Sequence, residues 1–503
     1  MLTILGANSP SGYEIDHSYM IDSAAAAGIA RFGNNSRNGD TFTISFWVKR
    51  TKLGTNQILV CSKAEDSGSN AFVFQFTAAD KIQVIGQPQA GTTGAGGNRT
   101  VILSTPVYRD PSAWYHIVYR HDTTQGTAGN RHRLYVNGVQ QATDTNDALD
   151  QNTEFLYFYN ASSFPYAIGN DERDNLYGDY YMAEHHYTDG VSNGPDAFGE
   201  TNDNGVWIPK QYTGSHGTYG HYLKFDNVGG GSGTTAIGGH DYTTGSSSTI
   251  GADSSGNDHH FHVQGYGEKN HTEDTPTNNY CVFNPLIGTQ VYTAPSYNEG
   301  NLKWSSTSNS SFGSSGIATL APSSGKWYWE GQIKSSISNG VGSGARVLEG
   351  YIPEFNNDSF FAGNTSNSGG VGYSYNYNNG KPQTNSQEST TNQGNSVSQN
   401  NVVGIAMDLD NGAIYYAING TWQASSDPES GASKTNAQHS FTVDGSYAPA
   451  VYGYSSTIFE MNFGNPMFDI SSGNSDANGY GNFEYAVPDG YFALNTKNLA
   501  EYG

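Results

Sequence analysis

Apolar and polar residues alternate with period two along much of this chain, and that period marks strands with one buried face. In TFTISFWVKR, Phe42, Ile44, Phe46 and Val48 fall on one face. NAFVFQF, KIQVIG, TVILST, WYHIVYR, HRLYVNG, TEFLYFY, YAIG and DYYMAEHHYTDG follow by Gly190. Eight or nine strands at this spacing, separated by Gly, Asn and Asp, predict an antiparallel sandwich. Ser23–Ala27 is a run of good helix formers, too short to be a stable helix by itself.

The sharpest local prediction is Val402–Trp422, VVGIAMDLDNGAIYYAINGTW. Asn411-Gly412 accepts the positive φ angles of a type I′ turn. Asp410 opposite Ala413 then sets Leu409 against Ile414, Met407 against Tyr416 and Ile405 against Ile418, with all six apolar side chains on one face. Asn419-Gly420 turns the chain again, and Asn137-Gly138 after LYV repeats the device upstream. From Gly325 the strand pattern continues through GKWYWEGQI, RVLEGYI, GGVGYSYNY, SYAPAVYGYS and IFEMNFG. Between the two halves, NVGGGSGTTAIGGHDYTTGSSSTIGADSSGND reads mostly as loop, and a short helix is possible around Phe198.

Length and composition fit this picture: 503 residues are long for one core, and 63 Gly, 35 Tyr and 23 Phe suit short strands joined by tight turns. The fold class expected is all-β, with two antiparallel β-sandwich (jelly-roll) domains joined by a loop-rich middle segment. The boundaries are 1–192 for the first sandwich, 193–300 for the connecting segment, 301–470 for the second sandwich and 471–503 for a tail packed on it. Forty-six acidic against 23 basic residues give a net charge of −23, which disfavours nucleic acid and anionic lipid as partners. Cys61 and Cys281 are read as free thiols. The N-terminus has no basic or apolar leader pattern, and no run approaches the ~18 apolar residues of a membrane span. A soluble protein made in a cytoplasm without a cleaved signal is therefore expected.

The order FTISFWVKR, WYHIVY, LYVNGVQ, YAIGN and YYMAEHHYTDG resembles the concanavalin A-like, laminin-G type jelly roll. The second half, from Trp304 to Asn465, resembles the SPRY domain, with its Trp-containing first strand, DLDNG hairpin and closing strand ending in Phe-Gly. AFGETNDNGVWIPKQYTGSHGTYGHYLKFD, IGADSSGNDHHFHV, DTPTNNYCVFNPL and EGNLKW resemble a middle segment of tailed-bacteriophage structural proteins. FEYAVPDGYFALNTKNL resembles the C-terminal segment that follows such domains. No heptad or Gly-X-Y repeat encodes a fibrous shaft.

Candidate chemistry is sparse. Laminarinase-type relatives of the first fold place two carboxylates on an E-x-D-x-x-E strand, and EIDHSY supplies Glu14 and Asp16 but Tyr19 at the third position. His185-His186 and His259, His260 and His262 invite a metal reading without the partners that would define a site. Asp408, Asp410 and Asn411 miss the EF-hand spacing and are explained by the hairpin. No metal is favoured; Ca²⁺ is left open at Asp171, Glu172 and Asp174, against solvated loop charge. No cofactor is expected, and neither a phosphate loop nor a nucleophile elbow is present.

The loop from Pro353 to Asn401 carries the functional signal. Tyr373, Tyr375, Tyr377, Asn379 and Gln383, with Trp422 nearby, offer aromatic faces and amides to a sugar or peptide ligand. In SPRY domains loops of this region contribute to the partner-binding surface. The alternative, half-buried strand tyrosines beside a plain surface loop, stays open. The resemblances imply a phage virion protein, assembled in the host cytoplasm, of a tail fibre or other exposed appendage that recognises host-surface glycan or protein without catalysis. The alternatives are a virion adaptor or capsid-decorating protein, and a glycan depolymerase. Partners would be other virion proteins and the host surface, with no nucleic acid and no membrane insertion. A homo-oligomer is expected, a trimer by analogy with phage appendages.

Overall fold

The computed structural model describes residues 12–32, 38–63, 71–88, 98–147, 149–155, 165–171, 176–237, 240–286, 294–306, 314–335, 337, 341–348, 372–384, 387–391, 393–453 and 456–503. Two compact units form, Ser9–Thr277 and Asn278–Gly503. Strands dominate both, and the one α-helix among the described residues is Thr496–Tyr502.

The first unit packs two sheets. One runs, in spatial order, through Val139–Gln140, His132–Val136, Trp114–Asp122, Thr41–Arg50, Tyr180–Asp189, Ser18–Ile21 and His271–Thr272, with His221–Leu223 also pairing Tyr180–Asp189. The other is built around Ala71–Phe76, Gln57–Lys63, Pro165–Ile168 and Gly28–Phe32 and ends on His262–Gln264, His240–Thr244 and Ser232–Ile237. Phe42, Ile44, Phe46 and Val48, the face read from the alternation, are all buried in the core between them. Ser23–Ala25 is a single 3-10 turn, ended by Ala26 in the left-handed region.

The expected connecting segment over 193–300 does not stand apart. Residues to Thr277 belong to the first unit and those from Asn278 to the second. Its short strands, His221–Leu223, His262–Gln264 and His271–Thr272, add to sheets begun far upstream. Composition concealed this, because strands of two or three residues leave no measurable period.

The second unit is likewise two-layered. One sheet runs through Lys303–Ser305, Ile458–Asn462, Lys326–Ile333, Val402–Asp408 and Ala413–Ile418 to Thr421–Trp422; the other includes Ser314–Ile317, Ser446–Gly453, Gly342–Leu348, Gly372–Asn376 and Lys381–Thr384. In the C-terminal stretch, Phe492–Ala493 pairs parallel with Lys326–Ile333. Buried Glu330 accepts from the backbone N–H groups of Glu484 (2.9 Å) and Tyr485 (2.8 Å).

The hairpin register departs from the prediction by two residues: Asp408, not Asp410, stands opposite Ala413, and Met407 stands opposite Ile414. A shift of two keeps parity, so Ile405, Met407, Leu409, Ile414 and Tyr416 still share the core face. The turn is wider because Asp408 acts as its anchor. Its carboxylate accepts from the backbone N–H and the side-chain amide of Asn411 (2.9 and 2.8 Å) and lies 3.4 Å from Lys326 Nζ. Leu409 N–H donates to Gly325 O. Only Gly412 is left-handed here (φ +72°), whereas Asn137-Gly138 and Asn419-Gly420 take positive φ at both positions, as type I′ requires. A Cβ on Gly412 would lie 2.1 Å from Phe441 O. Gly412→Ala is expected to cost about 2–4 kcal/mol in urea unfolding of the second unit, through strain and collision together.

Candidate functional site

The structure removes half of the sequence-derived binding set. Tyr375 in the strand Gly372–Asn376 and Tyr377 just after it point inward, each with 0% exposure. Tyr375 stacks on Tyr416 (ring centroids 5.1 Å) and donates to Asn395 O. The Tyr377 hydroxyl lies 2.7 Å from Ser343 Oγ. Their rings fill the core while each hydroxyl finds a protein partner, so neither can stack on a ligand. Gln383 is buried too, accepting from Tyr452 Oη (2.9 Å). Tyr373 is half-buried against Phe441 (4.3 Å), Asn379 donates to Glu388, and half-buried Trp422 packs against a separate cluster with Tyr328 and Tyr415. Each of the three is held by a different set of partners. Residues 353–371 of that loop lie outside the described residues.

Asp171 is buried in the short strand Asn170–Asp171, and Glu172 and Asp174 lie outside the described residues. His260 Nδ1 accepts from Asp253 N–H (2.9 Å) and His262 Nδ1 from Gly245 N–H (3.2 Å), which commits those nitrogens to loop structure. No group of three or more His, Cys, Asp or Glu among the described residues is placed to hold a metal. Glu14 and Asp16 are exposed and outside any strand, and Tyr19 is wholly buried in the core. Cys61 and Cys281 are both buried.

A different constellation stands on the first unit, on the sheet face turned away from the sandwich core. Tyr180–Asp189 pairs with Thr41–Arg50 through a bulge between Ala183 and His186. Inside it Glu184 has φ +52°, the one non-glycine residue with positive φ within a strand among the described residues. Such a conformation costs on the order of 1–3 kcal/mol and persists only where its surroundings hold it. Here the carboxylate accepts from Tyr13 Oη (2.8 Å) and from Tyr222 Oη (2.6 and 2.7 Å), and the two hydroxyls are 2.8 Å apart. Burial, then the charge of Glu184, pushes both phenols well above their usual range, so they stay protonated donors.

Around this carboxylate the rings are ordered. His186 stacks on Tyr222 (4.1 Å) and its Nδ1 lies 3.1 Å from His216 Nε2. His216 is pushed down to about 4 by burial and by His186, so at neutral pH it is uncharged. Half-buried Trp207 stacks over His116 and donates to its Nδ1 (3.0 Å). Tyr13 and Trp207 pack against one cluster with Trp47, Trp114 and Tyr181. The arrangement presents the partly exposed rings of Tyr13, Trp207, His216 and Tyr222 over a buried carboxylate whose oxygens are taken by the two tyrosine hydroxyls. Sequence reasoning noted His185-His186 only as metal candidates and missed Glu184, Trp207 and Tyr222. The signal available was an acidic residue inside an aromatic strand; the bulge that aims it depends on pairing with Thr41–Arg50.

The first unit is thus a concanavalin A-like sandwich, and residues 24–183 match the family described as the concanavalin A-like lectin/glucanases superfamily. No curated protein matches the chain. Among solved structures, the SPRY domain of human HERC1 is similar at 16% identity, covering 36% of this chain and 96% of that one, with a TM-score of 0.26. A heptameric SAP-like pentraxin from Limulus polyphemus is 12% identical over 36% of this chain and 80% of that one (TM-score 0.26). A candidate carbohydrate-binding protein from Bacteroides ovatus is 15% identical over 50% of this chain and 58% of that one (TM-score 0.28).

Proposed function

We propose that this chain is a non-catalytic virion structural protein of a tailed phage, part of a tail fibre or another exposed appendage, and that it recognises host-surface glycan. The observation that carries the recognition is the left-handed Glu184 inside a sheet strand, held by Tyr13 and Tyr222 and flanked by partly exposed rings. Backbone strain of this kind collects at functional sites. Partly exposed aromatic faces, fixed in place by the buried carboxylate beneath them, suit the apolar faces of a sugar. The lectin-like sandwich over residues 24–183 supports a binding role. The phage assignment rests on the resemblance of the middle and C-terminal segments, and the acidic surface suits a component kept clear of packaged nucleic acid.

The test is binding of the purified, labelled protein to host cells and competition with phage adsorption. Wild type is expected to bind and compete, and Trp207→Ala and Tyr222→Ala are expected to weaken binding about tenfold or more, the size of one stacking or buried hydrogen-bond contact. Protein that binds no host surface, or variants that bind as wild type, would refute the receptor role. Release of reducing ends from host polysaccharide would refute the non-catalytic one.

A further inference from the structure

Beside the aromatic cluster of the Glu184 site, one reactive pair is unused by any role assigned above. Lys49 Nζ lies 2.7 Å from Asp274 Oδ2, and both side chains have 0% exposure. Lys49 sits mid-sheet, with Trp114 and Tyr181 directly opposite it on the two neighbouring strands. Trp114 Nε1 donates to Asp274 Oδ1 (3.1 Å), and the Tyr181 ring centre is 5.6 Å from Nζ. Asp274 is held there by its own backbone: Ser18 Oγ donates to Asp274 O (2.6 Å), Ser18 pairs with Thr272, and Thr277 Oγ1 both accepts from Ile15 N–H and donates to Ile15 O.

We propose that Lys49 and Asp274 condense into an intramolecular isopeptide bond. An ion pair shut away from water is costly, and passing one proton from Nζ to Oδ2 turns it into a neutral amine and a carboxylic acid in contact. The amine lone pair then attacks Cγ and forms the C–N bond, while the Trp114 N–H stabilises the charge that develops on Oδ1. A second proton passes from the nitrogen to Oδ2, the Cγ–Oδ2 bond breaks and water leaves. Ammonium and carboxylate thus become a secondary amide and one water, with no oxidant, reductant or co-reactant. Groups locked in such contact react with effective molarities of about 10⁵–10⁸ M, which substitutes for chemical activation. The bond would join the centre of the sheet to the last segment of the first unit, closing it covalently.

Mass spectrometry of the denatured full chain tests this. The wild-type protein is expected one water lighter than its sequence, and a digest is expected to yield a branched peptide joining Lys49 to Asp274. Lys49→Arg and Asp274→Ala are expected at full sequence mass. Should either variant fail to fold, the wild-type digest still decides. Unbranched peptides carrying Lys49 and Asp274 from the folded wild-type protein overturn the proposal, as does a branch between other residues.

Discussion

Acidifying a solution of this protein from about pH 7 to about pH 4.5 is expected to unfold the first unit while the second stays folded. All of the 14 histidines except His439 lie in Ser9–Thr277. His116, His132 and His185 are buried in it, and burial pushes each of them down to about 3, while His221 falls well below the usual range for the same reason. An unfolded chain takes up these protons near pH 6.5, and the folded unit refuses them until about pH 3. Between those values the unfolded state binds more protons, so stability falls as pH falls. At about pH 4.5 the loss is roughly 2–3 kcal/mol for each of the three fully buried imidazoles, together comparable to the whole stability of a domain. In the second unit Glu330 acts in the opposite sense. Burial pushes its carboxyl up to about 7 against the pull of its hydrogen-bond donors, so between about pH 4.5 and 7 the folded state holds a proton the unfolded chain releases. His439, the one histidine of that unit, is pushed down to about 4 by burial and acts against it below pH 6.5, so the two groups largely offset and mild acid changes that unit little. Hydrogen exchange followed by mass spectrometry across the pH range should show protection lost below about pH 5 in the first unit alone. Equal loss in both units would contradict this account.

Removing the Glu330 carboxylate is expected to have the second largest effect. Glu330→Ala strands the N–H groups of Glu484 and Tyr485, the Tyr328 hydroxyl and the Asn462 amide, all of which now donate to that one buried group. Buried donors left without an acceptor cost about 1–3 kcal/mol each when water cannot reach them. Relaxation of the C-terminal stretch returns part of that, and a net loss of about 3–5 kcal/mol is expected in urea unfolding of the second unit. Protease sensitivity should rise first around Glu484 and Tyr485, whose backbone the carboxylate holds. A loss below about 1 kcal/mol would mean that water or another acceptor replaces it.

The contrast among the Asn-Gly pairs shows where local sequence suffices. Asn137-Gly138 and Asn419-Gly420 form the turns their dipeptides predict, because φ preference and strand twist act within four residues. Asn411-Gly412 does not, because Asp408 is claimed by Lys326, the first residue of a strand far upstream, and Leu409 by Gly325 just before it. The tyrosines at 373, 375 and 377 repeat the lesson. Their shared face is legible from the alternation, but which face meets the core depends on Tyr416 and Phe459, which come from the opposite sheet.

By itself, then, the sequence determined the all-β class, the inward faces of the long strands, the turns at Asn137-Gly138 and Asn419-Gly420 and the acidic charge. Each of these follows from side-chain period, local backbone preference or composition. Only the tertiary structure decided how residues 193–300 divide between the units, which tyrosines are buried, and the meeting of Lys49 with Asp274. It also placed Glu184 in a left-handed bulge beneath Tyr13 and Tyr222. All of these depend on register between strands far apart in the chain, and register is an energy balance over the whole sheet that no short window of residues contains.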